Sequence, residues 1–392
     1  MSPFSPFSER RREKKMSIVN LLILVLIVLV MVYLRKRFGW AGRMMKKVMI
    51  SVGVIFVVYL VLIFTGSPLL YEYFEMGRYT SWRWGPKNEK GEYTILYTRF
   101  GSKMRHLKGA GMFGYKRIGY FSDKWQVNVD GSNNRKLFTS DEIKFSLDDY
   151  CHKTNEIVGR SKESIWVARF DGSNKRCILS EPPEENIQNV RFSPDGKLIA
   201  YISYDKMEKK DYLWVVDVEG RWRKRLCRTE MLAWHPSGKY LATGGKIIDL
   251  EGNKVCQFPV GVPDPCFSPD GGYLVGYTQM LRIKKEIKDG KEVWQAEKVH
   301  MPPGTDKFPK WSPCGRYIIN GWEGGIRLVD LLIGTTVVSS ITPGQIPDPG
   351  YDEREGGKLV RFRAYIKEKD PQWWNNMVNK FPELNLEYVK ER

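Results

Sequence analysis

The sequence lacks several residue patterns on which common enzyme and metal sites depend. Its six cysteines stand at least ten residues apart, so there is no Cys-x-x-Cys pair for a zinc knuckle or a thioredoxin-like redox motif. There is also no Gly-x-Ser-x-Gly motif, which an α/β-hydrolase nucleophile requires. The chain has only four histidines, a poor supply of metal ligands: His106, His152, His235 and His300. We therefore expect no catalytic residues, no metal ligands and no cofactor.

The excess of positive charge is unevenly placed. The chain of 392 residues carries a formal net charge of +18, and half of it lies within residues 1–47. That region flanks long apolar runs, where membrane topology explains basic residues better than phosphate binding does. We therefore expect a lipid bilayer as a partner and no nucleic acid.

Two uncharged apolar runs near the start predict transmembrane helices. Residues 16–34 and 48–70 contain no charged side chain, and each is long enough to cross a bilayer. A cleaved signal peptide fits less well, because basic residues and a second apolar run follow the first. We expect a basic tail at 1–15, helices at 16–34 and 48–70, a basic loop at 35–47, and a connector at 71–91.

The orientation of these helices depends on two basic segments that oppose each other. The loop 35–47 has six Lys/Arg and no acid, which favours the cytoplasm. The tail 1–15 is basic as well, which favours the cytoplasm for the N-terminus. If Met16 rather than Met1 is the true start, this tail is absent and the opposing argument disappears. We expect the loop inside and the C-terminal bulk outside the cytoplasm, in a bacterial-type cytoplasmic membrane.

Beyond the apolar runs, one phrase recurs with small changes. RFSPDGKLIAYI at 191–202 returns as AWHPSGKYLATG, CFSPDGGYLVGY and KWSPCGRYIING, with a weaker copy at Phe145. An aromatic residue ends one strand, proline presets φ for a turn, and glycine accepts the positive φ that closes it. The predicted repeat-turn residues are Phe192, Pro194, Asp195, Gly196, Trp234, Pro236, Gly238, Phe267, Pro269, Asp270, Gly271, Trp311, Pro313 and Gly315.

A second phrase, a strand ending in an acidic turn, follows the first at a regular offset. KWQVNVDGSN at 124–133 and IWVARFDGSN at 165–174 are examples 41 residues apart, a period that holds four short strands. A lengthened copy lies near 293–299. The sequence predicts an all-β, six-bladed β-propeller at 92–366, with seven blades as the alternative, in which strands at 92–100 and 357–366 could close the ring within one blade.

The repeated FSPDG-x-x-I-A-Y phrase resembles the WD-like (WD40-like) repeat of TolB-type β-propellers, which also occurs in the propellers of prolyl-oligopeptidase-class enzymes. The resemblance covers roughly residues 80–365. It implies a six-bladed ring and binding of another protein across the face or channel of the ring. It brings no catalytic residue with it, and the two apolar runs depart from the soluble TolB pattern.

Other motifs have ordinary structural interpretations. GAGMFG at 109–114 matches Gly-x-Gly-x-x-Gly, but a strand follows it rather than the helix that phosphate binding requires, so we interpret it as a loop. His235 occupies a turn position, where a hydrogen bond is its expected role. The turn carboxylates, Asp195, Asp217, Asp249 and Asp270, are interpreted as turn formers, and the basic runs 221–228 and 282–291 as solvated or edge-strand faces.

The C-terminal segment 367–392 predicts one short amphipathic helix. Asp370 is a favourable N-cap residue ahead of Pro371, and apolar residues then recur at helical spacing from Trp373 to Phe381. We expect this helix to pack on the propeller, with docking to a membrane or a partner as the alternative.

These features predict a membrane-anchored, non-catalytic scaffold of the cell envelope that binds a protein or peptide, with its propeller extracytoplasmic or periplasmic. Two alternatives remain. A propeller enzyme, a lyase or hydrolase, would need ionisable groups that converge in the channel. A sensor or assembly subunit would have its ring in the cytoplasm.

Overall fold

The computed structural model describes most of the predicted propeller and the C-terminal helix. The described residues are 71–108, 115–161, 163–180, 185–302, 305, 307–322, 325–332, 336–337 and 368–381, with Tyr33, Lys36, Ser51 and Val58 as isolated positions. Within these ranges no helix has both the length and the apolar character needed to cross a bilayer. The predicted spans at 16–34 and 48–70 lie outside the described residues apart from three single positions, so they remain predictions.

The described strands form six four-stranded antiparallel sheets, each built from four consecutive strands. The first three sheets, which we call blades 1 to 3, contain β1 (Tyr71–Lys87), β2 (Tyr93–Leu107), β3 (Tyr115–Asn128), β4 (Arg135–Phe138); β5 (Asp149–Cys151), β6 (Glu156–Ser161), β7 (Ser164–Arg169), β8 (Arg176–Ser180); and β9 (Glu185–Phe192), β10 (Leu198–Asp205), β11 (Lys210–Asp217), β12 (Arg223–Arg228). A single helical turn, α1 (Ser140–Ile143), connects blades 1 and 2.

Blades 4 to 6 repeat the same order of strands. They contain β13 (Ala233–Trp234), β14 (Tyr240–Ala242), β15 (Lys246–Asp249), β16 (Lys254–Gln257); β17 (Cys266–Phe267), β18 (Tyr273–Val275), β19 (Met280–Lys288), β20 (Lys291–Val299); and β21 (Lys307–Trp311), β22 (Tyr317–Trp322), β23 (Gly325–Asp330), β24 (Thr336–Val337). The predicted insertion in blade 5 is the long β19–β20 hairpin.

Hydrophobic packing between neighbouring blades closes the six sheets into a ring. The described core separates into six clusters, and each joins two adjacent blades. The closing cluster packs Trp82, Trp84 and Ile95 of blade 1 against Ile319 and Leu328 of blade 6. The six-bladed, all-β propeller predicted from the repeats is thus confirmed, and the seven-bladed alternative is not needed to close the ring.

Two hydrogen bonds fix the closure. Trp82 Nε1 donates to the carbonyl of Phe308 at 3.0 Å, and Trp84 Nε1 donates to the carbonyl of Lys310 at 3.0 Å. Both bonds join β1 to β21, strands that lie 226 residues apart along the chain. The first strands of blades 1 and 6 therefore meet as neighbours at the centre of the ring.

The start of the propeller differs from the prediction. Residues 71–87, most of the predicted connector 71–91, form β1, the innermost strand of blade 1. The reason is a sixth copy of the repeated phrase: Arg83, Trp84, Gly85 and Pro86 take the positions of Lys310, Trp311, Ser312 and Pro313. Residues 93–100 belong to β2, which has β1 on one side and β3 on the other. Residues 357–366 lie outside the described residues, so their predicted part in closing the ring stays a prediction.

The C-terminal helix packs on blades 5 and 6. In α2 (Pro371–Asn379) Asp370 is the N-cap, and its side chain accepts from the Trp373 amide at 3.2 Å. The Trp373 ring lies against Tyr273 at 5.1 Å between centroids. Asp370 also pairs with Arg282 at 2.8 Å. The burial of Trp373, Trp374 and Met377 accounts for the apolar stripe that the sequence predicted.

The chain folds as two compact units. The first contains residues 1–74 and 105–116, and the second contains residues 75–104 and 117–392. The channel and the interblade cores belong to the second unit. The predicted loop GAGMFG at 109–114 lies outside the described residues.

Candidate functional site

In blades 3 to 6 the predicted repeat residues lie at the end of the first strand and in the turn that leads to the second strand. In four blades the turn glycine has a positive φ, and its amide donates to the carbonyl three residues earlier at 2.9 Å. These glycines are Gly196, Gly238, Gly271 and Gly315. The side chains of Asp195 and Asp270 accept from backbone amides two residues ahead, at 3.1 and 3.0 Å. The repeated phrase therefore forms turns. The remaining turn carboxylates, Asp217 and Asp249, also accept hydrogen bonds from backbone amides of their turns.

His235 in the turn of blade 4 is buried among aromatic rings. Its Nδ1 accepts from the Ser237 amide at 3.1 Å, so the ring makes the predicted turn hydrogen bond. The rings of Phe267 and Trp294 lie at 5.0 and 5.3 Å. Burial, with the Lys285 ammonium nearby, lowers the pKa of His235 from 6.5 to about 4. The folded protein therefore holds this imidazole neutral.

We expect the stability of the propeller to fall as pH is lowered from about 6.5 to about 4, in part because of His235. Over that range the unfolded chain binds a proton at this histidine and the folded chain does not, which costs about 3 kcal/mol of unfolding free energy. His235→Ser should remove this part of the pH dependence, since serine fills the same position in blades 3, 5 and 6. Denaturant titrations of both proteins at a series of pH values measure it. Equal pH slopes would contradict the prediction.

The basic run 221–228 lies at the outside of the ring, as expected of an edge-strand face. β12, which carries most of the run 221–228, is the outermost strand of blade 3. Arg223 lies over the ring of Trp214, with its guanidinium carbon 4.9 Å from the ring centroid. Lysine and arginine on an outer strand oppose edge-to-edge pairing with another chain.

The central channel is lined by charged side chains that the sequence analysis did not predict. The residue before the aromatic of the repeat occupies an equivalent position near the end of each innermost strand. In chain order these residues are Arg83, Asp149, Arg191, Ala233, Cys266 and Lys310. In blade 2 the aromatic is Tyr150 of β5, so the copy predicted at Phe145 was misplaced: Phe145 lies between α1 and β5. A second carboxylate, that of Asp264, stands two residues before Cys266 and interacts electrostatically with Lys310, Arg191 and Arg83. Among the described residues, three cations and two carboxylates thus converge on the axis of the ring.

Backbone kinks in the innermost strands direct these side chains. Two residues before the channel position, the backbone is left-handed in four blades, with φ between 51° and 55° at Ser81, Asn189, Asp264 and Phe308. The strand pairing shifts register at this point in blades 3 and 6. Such a bulge changes the direction of the following side chain and is common near binding sites. The same left-handed residue therefore precedes the channel position in four of the six blades.

Two arginines of the channel share one anchor. Arg83 Nε donates to the carbonyl of Asp148 at 2.7 Å, and Arg191 Nη1 donates to the same oxygen at 2.9 Å. The Asp148 side chain is itself held by Arg160 at 3.1 Å. The guanidinium groups are thus fixed in place before any ligand arrives. Arg83 uses Nε for the bond to Asp148, and its Nη1 donates to the carbonyl of Trp82 at 2.6 Å.

Burial perturbs the ionisation of the channel groups. They are half-buried, since they face the channel but are surrounded by protein. Burial, with the Arg83 guanidinium beside it, lowers the pKa of the Lys310 ammonium to about 8. Burial also raises the pKa of Asp149, although Arg191 and Arg83 lie nearby. Burial likewise raises the pKa of Asp264. Such a set of desolvated charges in a concave site marks a functional-site candidate.

Asp149 has a structural role as well. Its Oδ2 accepts from the Phe192 amide at 3.0 Å, which joins the innermost strands of blades 2 and 3. Among the described residues, no group of three or more histidine, cysteine or acidic side chains is placed to hold a metal ion. The channel is therefore a set of cations with partly engaged carboxylates, suited to a ligand that carries negative charge.

These features define a class: a closed six-bladed β-propeller with a positively charged channel. No protein-family model matches the chain. It is 27% identical to oligogalacturonate lyase of Dickeya dadantii over 150 residues. This aligned stretch is 38% of this chain and 34% of the lyase. It is 43% identical over 63 residues to the Tol-Pal system protein TolB of Legionella pneumophila, which is 16% of this chain and 14% of that protein.

The solved structure of TolB from Acinetobacter baumannii superposes with a TM-score of 0.39 and 14% identity, over 66% of this chain and 77% of that one. Because the superposition is this loose, the blade count rests on the strand pairing of this chain itself. The chain spans about a third of the length of the lyase and a seventh of that of TolB. The local similarity to TolB agrees with the resemblance carried by the repeated turns.

Proposed function

We propose that this chain is a non-catalytic binding module of the cell envelope that takes an acidic, extended peptide of a protein partner into its channel. The observation that carries the proposal is the excess of cations over carboxylates among the described channel residues, with Lys310, Arg83 and Arg191 close enough to interact electrostatically. A desolvated cation binds a carboxylate more strongly than an exposed one, because water competes less. The resemblance to TolB-type propellers supports a protein partner.

We also propose that residues 16–34 and 48–70 anchor the propeller in the membrane, with the ring outside the cytoplasm. The length and apolar character of both runs support the anchor, and the basic loop 35–47 supports the orientation. Protease access to a C-terminal tag in intact cells distinguishes this orientation from a cytoplasmic ring.

The channel variant Lys310→Gln should bind acidic peptide about tenfold more weakly, the effect of losing one charge-assisted hydrogen bond. The probe is a fluorescent, extended peptide rich in aspartate and glutamate, titrated with the detergent-solubilised full chain and compared with its amidated, neutral form. Because the pKa of the Lys310 ammonium is about 8, binding to the unmodified protein should also weaken as pH rises through that value. The variant should lack this pH inflection.

The matched control is Lys239→Gln, which removes the same charge from an exposed position on the turn of blade 4. It should bind the peptide as the unmodified protein does. The proposal fails if the acidic and neutral peptides bind alike, or if both glutamine variants behave in the same way.

An elimination reaction on an acidic saccharide is the second candidate function. The local similarity to oligogalacturonate lyase favours it, and so does a channel lysine whose pKa, about 8, suits a base near neutral pH. Incubation with oligogalacturonate decides between the two. An unsaturated product that Lys310→Gln does not form would replace the binding proposal with an enzyme.

A further inference from the structure

One end of the blade 1 sheet carries basic and aromatic side chains that neither the interblade cores nor the channel uses. They belong to the first compact unit, residues 1–74 with 105–116. Tyr73 and Tyr115 are 47% and 50% exposed, and Lys108 and Lys116 are also exposed. Arg105, which lies on β2, is half-buried. We call Tyr73, Arg105, Lys108, Tyr115 and Lys116 the basic end.

Contacts within this unit place the basic end beside the start of β1. His106 Nδ1 lies 3.8 Å from Glu72 Oε2, and the His106 ring stacks on Tyr115 with centroids 4.2 Å apart. β1 begins at Tyr71, the residue directly after the predicted span 48–70. A chain that leaves the bilayer at residue 70 therefore brings residues 106 and 115 within a few residues' length of the membrane surface.

We propose that the basic end lies on the headgroups of an anionic lipid bilayer. This rests on the proposed anchor, which holds Tyr71 at that surface. Tyrosine is favoured at the membrane interface because its ring is apolar and its hydroxyl polar, and basic side chains near an anionic surface gain about 1 kcal/mol each. The sequence from 99 to 122 contains six Lys/Arg and no Asp/Glu, so this stretch of the chain repels no anionic lipid.

A nucleic acid would also attract these lysines, but the observations favour lipid. The aromatic side chains here are tyrosines next to a predicted span, whereas single-stranded nucleic acid is bound by successive stacking platforms along a groove. The basic end also lies next to the residue that follows the predicted span, and binding to a soluble polyanion would not require that position.

Hydrogen exchange on the full chain in lipid nanodiscs tests the proposal. One set of discs contains phosphatidylcholine alone, and the other contains equal parts of phosphatidylcholine and phosphatidylglycerol. In the anionic discs, peptides that cover 103–108 and 115–120 should exchange about a hundredfold more slowly than in the neutral discs, as expected for three basic side chains at about 1 kcal/mol each. The variant Arg105→Gln, Lys108→Gln, Lys116→Gln should lose this difference. The matched control, Lys197→Gln, Lys206→Gln, Lys239→Gln, should keep it, because those lysines are exposed on turns of other blades.

The outcomes separate this inference from the proposed anchor. If the chain enters the discs but its exchange does not depend on lipid charge, the anchor stands and the inference is wrong. If the chain does not enter the discs, the anchor is wrong, and sedimentation with anionic vesicles tests the basic end by itself. Vesicle binding that the triple variant loses supports the inference. The absence of vesicle binding overturns it. Equal protection by a short DNA duplex without lipid would also overturn it.

Discussion

Gly159→Ala is expected to lower the free energy of unfolding by about 4 kcal/mol, at the upper end of what overpacking costs. Gly159 lies in β6, and a Cβ atom placed there would be 1.6 Å from the backbone oxygen of Ser146. Ser146 cannot retreat easily, because its amide donates to the carbonyl of Arg160 at 2.9 Å and its Oγ accepts from the Arg160 amide at 2.9 Å. Urea denaturation in detergent, followed by circular dichroism, measures the change.

Gly119→Ala is the matched control for that experiment. Gly119 also lies in a strand, β3, but a Cβ atom there would meet nothing within 4 Å, and its φ is not in the left-handed region. The control should change stability by less than about 1 kcal/mol, in the stabilising direction. A similar loss in both variants would show that the close approach at Gly159 does not limit the fold.

Trp84→Ala should cost about 4 kcal/mol and should do so by opening the ring between blades 1 and 6. The Trp84 side chain is 5% exposed, and it stacks near Tyr317 with ring centroids 6.2 Å apart. Its loss leaves a cavity in the closing cluster and removes the hydrogen bond to Lys310. Faster hydrogen exchange in β1 and β21 than in blades 3 and 4 would locate the opening.

Trp222→Ala makes the same chemical change at a side chain that is 49% exposed. It should cost less than about 1 kcal/mol, since little apolar surface leaves a core. Trp84→Phe should fall between the two, because it keeps apolar volume and loses the hydrogen bond. If Trp84→Ala proved as mild as Trp222→Ala, the ring would not depend on this contact for closure.

The channel is predictable in part from the sequence. Arg191 and Lys310 both precede the aromatic of a repeated phrase, and Arg83 precedes Trp84 in the phrase RWGP, the sixth copy. An alignment of the copies at Trp84, Phe192, Trp234, Phe267 and Trp311 marks that position as one that varies between charged and small residues. Asp149 escapes such an alignment, because the predicted copy in blade 2 lies at Phe145 rather than at Tyr150. Asp264 has no such signal, because it reaches the channel from a loop residue with φ of 51°, ahead of the strand.

The start of the ring escapes sequence-based prediction for a related reason. After Pro86 the phrase at 83–86 continues with Lys87 and Asn88, without the glycine that closes the turns of blades 3 to 6, so local patterns indicate a connector there rather than a strand. What identifies β1 as an innermost strand is its contact with β21, at a separation of 226 residues. Such a contact has no signature within a short window of sequence.

The sequence by itself determined the hairpins, the approximate number of blades and the C-terminal helix. Each depends on local chemistry: the φ of proline and glycine in a turn, alternation along a strand, and a cap before an apolar stripe. Only the tertiary structure decided which strands close the ring and which side chains meet in the channel. Those features depend on residues such as Arg83, Asp149 and Lys310, which are distant in the chain and become neighbours only when six sheets surround one axis.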